Sequence, residues 1–510
     1  MKKKILYGFS SFVTVVFLTG CGGDDLLSDK NQNIHTGYIK PQKPAVIGQE
    51  YVFDQIPRVK SARVLNRTDV DAIRVKGLEY LNKLRHQTGM IPFQSESHLD
   101  TAAYNHAHYL MINYAIGHNE FAGNPGYTGA DPSDRAIYVG YAHRMVSENL
   151  SSGNSSVYDS IDALFSAIYH RFGFLSFSMD EIGIGADTSV LHPYGNAYNY
   201  DMGISQLRNV CEGEQFQDHG VYFYGVCSDL QFKIGQVQYE NALRANQLRN
   251  PKYVLWPYLN QADVPPVFFE EEPDPLPECS VSGYPVSIQF NESKNGEVFV
   301  DSFKLYYDAN NSEITDTKLL DKKSDPNGYF SNYEYALFPM QRLDWDTKYR
   351  AVVSYTEDNI PYEVNWTFKT VALPYPYFKV TQEENTFTVT SGQTYLIYIP
   401  PKSCNDTGAG YSVRYTGDLL VESDYYDYNT IQIKVTGSSG DVDIVLQDGR
   451  NIILTVDQPD SPRQPAAITP GDNDKTPVSS GAQQENNGMD DSDESDIWDL
   501  LWFLWLMIKD

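Results

Sequence analysis

Ahead of Pro257 the apolar residues of this chain return at helical spacing, and after it they alternate. That change of period constrains the fold more than any single motif, because a helical repeat cannot serve a half-buried strand. A helix is predicted from Thr68, an N-cap residue type, with Ile73, Gly77, Leu81 and Leu84 at helical spacing and a stop at Gly89. A second runs over residues 96–115, where Leu99, Ala103, His106 and Leu110 share a face. A loop rich in glycine and proline follows over 117–134, then a third helix over 160–171 and strands over 181–185 and 198–204. Past Pro257, short alternating runs at 284–290, 298–307, 333–338, 349–355 and 364–370 carry turn residues between them, the spacing of an antiparallel sandwich. Further runs at 386–390, 394–399, 431–436 and 442–446 make a second β-rich block. The fold class is α+β, with a mixed N-terminal block and two β-rich domains behind it.

The N-terminus sets the compartment. Lys2, Lys3 and Lys4 precede an apolar stretch from Ile5 to Phe17, and Leu18-Thr19-Gly20-Cys21 closes it. A basic start, a short apolar core and small residues before a cut describe a secretory signal. The stretch falls short of the roughly 20 residues a spanning helix needs. The cut site resembles a bacterial lipoprotein signal, which implies cleavage of 1–20, a lipid on the Cys21 thiol, and everything behind it held to a membrane outside the cytoplasm. Gly22 stands where an aspartate favours inner-membrane retention in such lipoproteins, so the outer membrane is expected, facing periplasm or exterior. An ordinary signal peptide or a short anchor helix is the other reading of the same residues.

With a net charge of -28 the surface repels phosphate backbones, which excludes nucleic acid as a partner class. Besides Cys21 the chain has Cys211, Cys227, Cys279 and Cys404. In an oxidising compartment such a set reads as disulfides. Three pairings are open; Cys211 with Cys227 closes the shortest loop, and Cys279 with Cys404 then joins different domains, the alternative being buried free thiols. The segments expected are a signal over 1–20, a polar tether over 21–63, the mixed domain over 64–258, a proline- and acid-rich linker over 259–282, the sandwich over 283–372, and the second β-rich block over 373–457. Residues 458–496 are acidic, proline- and asparagine-rich, and disordered by composition. Residues 497–510 hold an apolar run too short to span a bilayer; an interfacial segment, a helix docked in a partner's groove and a tail folded back on the protein all fit it.

The mixed domain carries an ordered set of segments. These are Leu81-Asn82 with Arg85, Gly89, Met90 and Pro92; Ala102-Ala103 with His106-Ala107 and Tyr109; and Gly117-His118, Pro125-Gly-Tyr-Thr-Gly129, Arg135 and Gly140-Tyr141. Ser147-Glu148-Asn149-Leu150, Tyr169-His170-Arg171 and Glu181-Ile-Gly-Ile-Gly185 complete it. Taken together and in order they resemble the CAP superfamily of cysteine-rich secretory proteins, antigen 5 and pathogenesis-related 1 proteins, over roughly residues 73–258. The resemblance implies an α-β-α sandwich with a cleft of two histidines and two glutamates. His118, Glu148 and His170 fall on three of those positions. The second glutamate has no counterpart, because the helix before His170 reads Leu164-Phe-Ser-Ala-Ile-Tyr169.

Two imidazoles and a carboxylate are a reasonable set for a zinc ion with one open position, or for moving protons near neutral pH. Hydrogen bonds that merely tie loops together are the plainer reading of the same residues. His106 reads as a core residue, and His108, His143 and His219 as surface or loop residues. The segment 345–370, with Trp345 and Trp366, resembles bacterial Ig-like modules of surface proteins. No P-loop, HExxH or GxSxG occurs. The function expected is a cell-envelope lipoprotein whose cleft binds an extracellular ligand, an apolar molecule or an envelope polymer, with zinc in the His118–Glu148–His170 cleft. A metal-assisted hydrolase and a structural surface protein with a vestigial cleft stand as alternatives; the missing glutamate and the lack of a nucleophile weigh against the first.

Overall fold

The computed structural model describes residues 67–456 apart from 218–219, 270, 407–409, 417–418 and 439. The signal, Cys21, the tether, His219, the acidic segment 458–496 and the apolar segment 497–510 lie outside the described residues. Among those described, no helix is long and apolar enough to cross a membrane.

The mixed domain is built from α1 (Arg67–Gln87), β1 (Gln94–Ser95), α2 (Ser97–Asn113), α3 (Pro132–Tyr138), β2 (Ser147–Ser152), α4 (Val157–Ser166), α5 (Ile168–Phe174), β3 (Glu181–Thr188), β4 (Asn196–Gly203), α6 (Ser205–Cys211) and α7 (Gln236–Gln247). Its sheet has the order β1-β3-β4-β2, with β1 parallel to β3 and the other pairs antiparallel. Local chemistry starts several helices. Glu96 accepts the Leu99 amide, Asp131 accepts the Asp134 amide ahead of Pro132, and Ser156 accepts the Asp159 amide.

Successive residues of β3 face opposite layers. Ile182, Ile184 and Ala186 join Leu81, Leu84, Ile161 and Phe165 in the core under α1 and α4. Gly183 and Gly185 face α2. A Cβ there would lie 1.9 Å and 2.2 Å from the backbone of Leu99 and Ala103. The Gly-Ile-Gly of this strand is thus the contact that lets a helix lie directly on a sheet.

The helix expected over 160–171 is broken. Ala167 is extended, with φ -78° and ψ 119°, and α4 ends before it while α5 begins after it.

Behind this domain stands a sandwich of two sheets. One has the order Thr317–Leu320, Glu334–Pro339, Val286–Phe290, Tyr253–Trp256; the other runs Glu313–Ile314, Val298–Tyr307, Lys348–Glu357, Ile360–Thr370, Gln261–Val264. The expected boundary at 258 and the linker at 259–282 therefore need correction. Tyr253–Trp256 pairs with Val286–Phe290, and Gln261–Val264 pairs in parallel with Ile360–Thr370. These strands have four residues each, and Pro257, Pro265 and Pro266 mark their ends, so composition made them read as linker. Trp256 and Val264 are buried in a core that runs unbroken from α1 and α4 into the sandwich, and the Trp256 ring stacks on Phe165 at 4.2 Å.

The second β-rich block is also a sandwich. Tyr377–Lys379, Thr394–Tyr398, Thr430–Thr436 and Leu420–Asp427 make one sheet; Glu384–Val389, Asn451–Val456, Asp441–Leu446 and Tyr411–Tyr415 make the other. Phe387, Ile397, Ile433, Ile444 and Leu454 lie in the core between them. Cys279 is bonded to Cys404 across the join, Cα–Cα 5.0 Å, and Arg342 pairs with Asp427 at 2.6 Å while lying 4.4 Å over the Trp345 ring. Cys211 is bonded to Cys227 with Cα–Cα 5.4 Å, tying α6 to the segment that leads into α7.

Candidate functional site

The site forms at the edge of β2, where two neighbouring residues of one strand serve opposite layers. Glu148 faces the α2–α3 layer and Asn149 faces α5. Asn149 donates from Nδ2 to the His170 carbonyl at 2.8 Å, which ties α5 to the strand. Glu148 is fully buried, and both its oxygens are engaged. His118 Nδ1 stands 2.7 Å from Oε1, while Arg135 Nη2 and Asn199 Nδ2 donate to Oε2 at 2.5 Å and 2.9 Å.

His118 reaches Glu148 because α2 ends at Tyr114, a residue in the left-handed conformation with φ 53°, and the chain turns back across the sheet. The loop is pinned by Glu120. That carboxylate accepts the Thr128 amide at 2.7 Å and sits 3.1 Å from His106 Nδ1. His106 Nε2 lies 3.1 Å from the Gly117 carbonyl, and Arg135 donates to the His118 carbonyl at 2.9 Å. His106 is thus a buried residue with both ring nitrogens engaged. His143 needs correction. It is buried, not on a surface, stacking obliquely on Tyr141 at 4.6 Å with Nε2 3.1 Å from the Ile204 carbonyl. His108 faces Asp187 at 2.9 Å and is partly exposed.

The structure brings the three expected site residues together. The rings of His118 and His170 stack with centroids 6.3 Å apart and planes 25° apart, and His118 is the open member at 19% side-chain exposure. His170 is buried, its Nδ1 has no hydrogen-bond partner, and burial, aided slightly by His118, pushes its pKa down to about 3. It is a neutral imidazole at physiological pH.

Asp201 is the residue that sequence reasoning missed. It sits opposite Glu148 in the β2–β4 register and is fully buried. Burial, reinforced by the Glu148 charge, pushes its carboxyl well above the usual range. Burial works against the Glu148 charge too, but Arg135, then His106 and His118, hold that carboxyl well below the usual range. The two buried acids are thus pushed in opposite directions, which disfavours two like charges side by side. The signal was in the strand itself. Tyr198, Tyr200 and Met202 alternate with Asn199, Asp201 and Gly203, so a buried polar face was written at every second position.

Three free donors do not converge here. Glu148 spends both oxygens on hydrogen bonds, and the Arg135 guanidinium against it repels a dication. Among the described residues no three His, Cys, Asp or Glu side chains are placed to hold a metal ion. The expected zinc set of His118, Glu148 and His170 does not fit these contacts; what the network does is fix one imidazole, His118, beside another.

Residues 78–198 match the model of the cysteine-rich secretory protein family, CAP, so this part of the chain is a CAP domain. No curated protein matches the chain. Among solved structures, an extracellular protein containing an SCP domain from Bacillus anthracis is similar at 14% identity and TM-score 0.23, over 27% of this chain and 43% of that one. The chain thus spans less than half the length of that protein. An outer surface protein from Borrelia burgdorferi is similar at 16% identity and TM-score 0.24, over 28% of this chain and 98% of that one. Fibronectin(III)-like modules of Clostridium thermocellum CbhA are similar at 13% identity and TM-score 0.13, over 40% of this chain and 94% of theirs.

Proposed function

We propose that this chain, whose residues 78–198 are a CAP domain, is a lipid-anchored cell-envelope protein that binds an apolar extracellular ligand at the His118 loop. Cys21 is the anchor, and the outer membrane its site. The observation that carries the ligand class is the composition of the loop rim. Ile116 and Phe121, on either side of Gly117-His118, are 60% and 48% exposed although the loop around them is pinned by hydrogen bonds to Glu120 and from Arg135. Large apolar side chains kept exposed beside a fixed polar pair favour contact with an apolar ligand. Catalysis is the weaker reading. Glu148, which touches His118, is spent on Arg135 and Asn199.

The test uses the protein without residues 1–21 and a fluorescent long-chain fatty acid as probe. Saturable binding is expected, weakened at least tenfold in Ile116→Ser with Phe121→Ser and unchanged in Tyr415→Ser, an exposed tyrosine of the last sandwich. No saturable binding, or equal affinity in all three proteins, contradicts the proposal.

A further inference from the structure

The helix that carries His170 is held from outside its own domain. α5 has seven residues, and its N-cap residue Ala167 makes no side-chain cap bond. A helix this short is marginal by itself, and its first amides need partners. The partner comes from the segment that reads as linker. Glu271 Oε1 accepts the Tyr169 amide at 3.0 Å.

The next residues engage the sandwich as well. The Tyr169 hydroxyl bonds to Asp325 and accepts from Asn327 Nδ2 at 2.9 Å. Arg171 donates to the Pro285 carbonyl at 2.8 Å and to Ser287 Oγ at 3.0 Å. Phe172 packs edge-on against Phe330 at 5.2 Å. Residues 169, 171 and 172 therefore face the sandwich, while His170 stacks with His118. The break at Ala167 has its reason here: α5 is turned to meet a carboxyl some hundred positions later in the chain. Burial pushes the Glu271 carboxyl up to about 8 against the pull of the Tyr169 amide and the Arg171 guanidinium.

We propose that Glu271 is a positioning residue for His170, so that the sandwich domain, and not the CAP domain alone, sets where the second imidazole of the cleft stands. This rests on reading His118 and His170 as the cleft pair, but its test needs no ligand. The full-length protein is labelled at histidine, and the imidazole resonances are assigned by single His→Gln variants. Glu271→Ala should move the His118 and His170 resonances and leave those of His86 and His98 in place. Glu271→Gln, which keeps a neutral acceptor, should restore the wild-type positions. If Glu271→Ala does not fold, Glu271→Asp withdraws the acceptor by one methylene and is held to the same criterion. Unmoved His118 and His170 resonances in the Ala or Asp variant, whatever its stability, overturn the proposal. A failure of fatty-acid binding in the wild type counts against the function proposed above and leaves this result intact.

Discussion

Removing the Glu148 carboxylate strands Arg135. Both are fully buried, 2.5 Å apart, and breaking such a pair from one side costs about 3–5 kcal/mol because a buried charge is left behind. Glu148→Leu should therefore lower the unfolding free energy by about that amount in urea titration; a loss under 1 kcal/mol places the pair nearer to the surface regime. The pH dependence has sources of opposite sign, and His143 and Glu334 are one of each. Burial pushes His143 down to about 3, so the stability this neutral histidine contributes is complete above its unfolded pKa near 6.5 and is lost as pH falls toward 3. Burial pushes Glu334 up to about 7, so its contribution is complete below its unfolded value and is lost as pH rises from about 4.5 to 7. Stability measured by urea titration should fall on both sides of mildly acid pH. His143→Asn should flatten the acid limb and Glu334→Gln the neutral one; unchanged slopes in either variant contradict the assignment.

At the level of elements, the tightest constraint is α2 on β3. Gly185→Ala puts a methyl carbon about 2.2 Å from the Ala103 backbone, where no side chain can yield. This variant should fail to fold or lose most of its thermal stability, while Gly392→Ala, with open space around it but φ +81°, should lose far less. Equal melting temperatures contradict the close contact. What the sequence made legible follows from where the cause sits. The face of α2 could be read because Leu99, Ala103, His106 and Leu110 each report a local period. Glu148–Asn149 was legible only through the family resemblance, and the strand that sends the two side chains to opposite layers appeared with the structure. The break at Ala167 could not be read, since the groups that hold α5 beyond it, Glu271 and Pro285 among them, come from over a hundred residues later. Asp201 lay on a polar alternation visible in β4, but its pairing with Glu148 shows only when β2 is laid beside it.

Over the whole molecule, the CAP domain and the first sandwich share one core through Phe165, Trp256 and Tyr284, and Tyr284 accepts the Trp256 indole N–H at 2.8 Å. The two domains should unfold in a single calorimetric transition, and Trp256→Ala should lower it for both at once; separate transitions for the two contradict a common core. The order of α, β and β blocks was open to the sequence because the hydrophobic period changes with it. The join was not, because two four-residue strands among prolines carry too little pattern. The compartment reading rests on Cys21: Cys21→Ser should abolish labelling with radioactive palmitate, and labelling that persists contradicts the anchor.

The central claim is that Glu148 belongs to Arg135 and His118 rather than to a metal, and a zinc titration tests it most directly. A ligand at 100 times its dissociation constant stabilises a fold by about 2.7 kcal/mol, which a thermal melt resolves. At pH 7.5 the wild type and His118→Ala, Glu148→Gln and His170→Ala should each show the same small response to zinc in melts and no one-to-one site by calorimetry. A stoichiometric site present in the wild type and lost in all three variants contradicts the account.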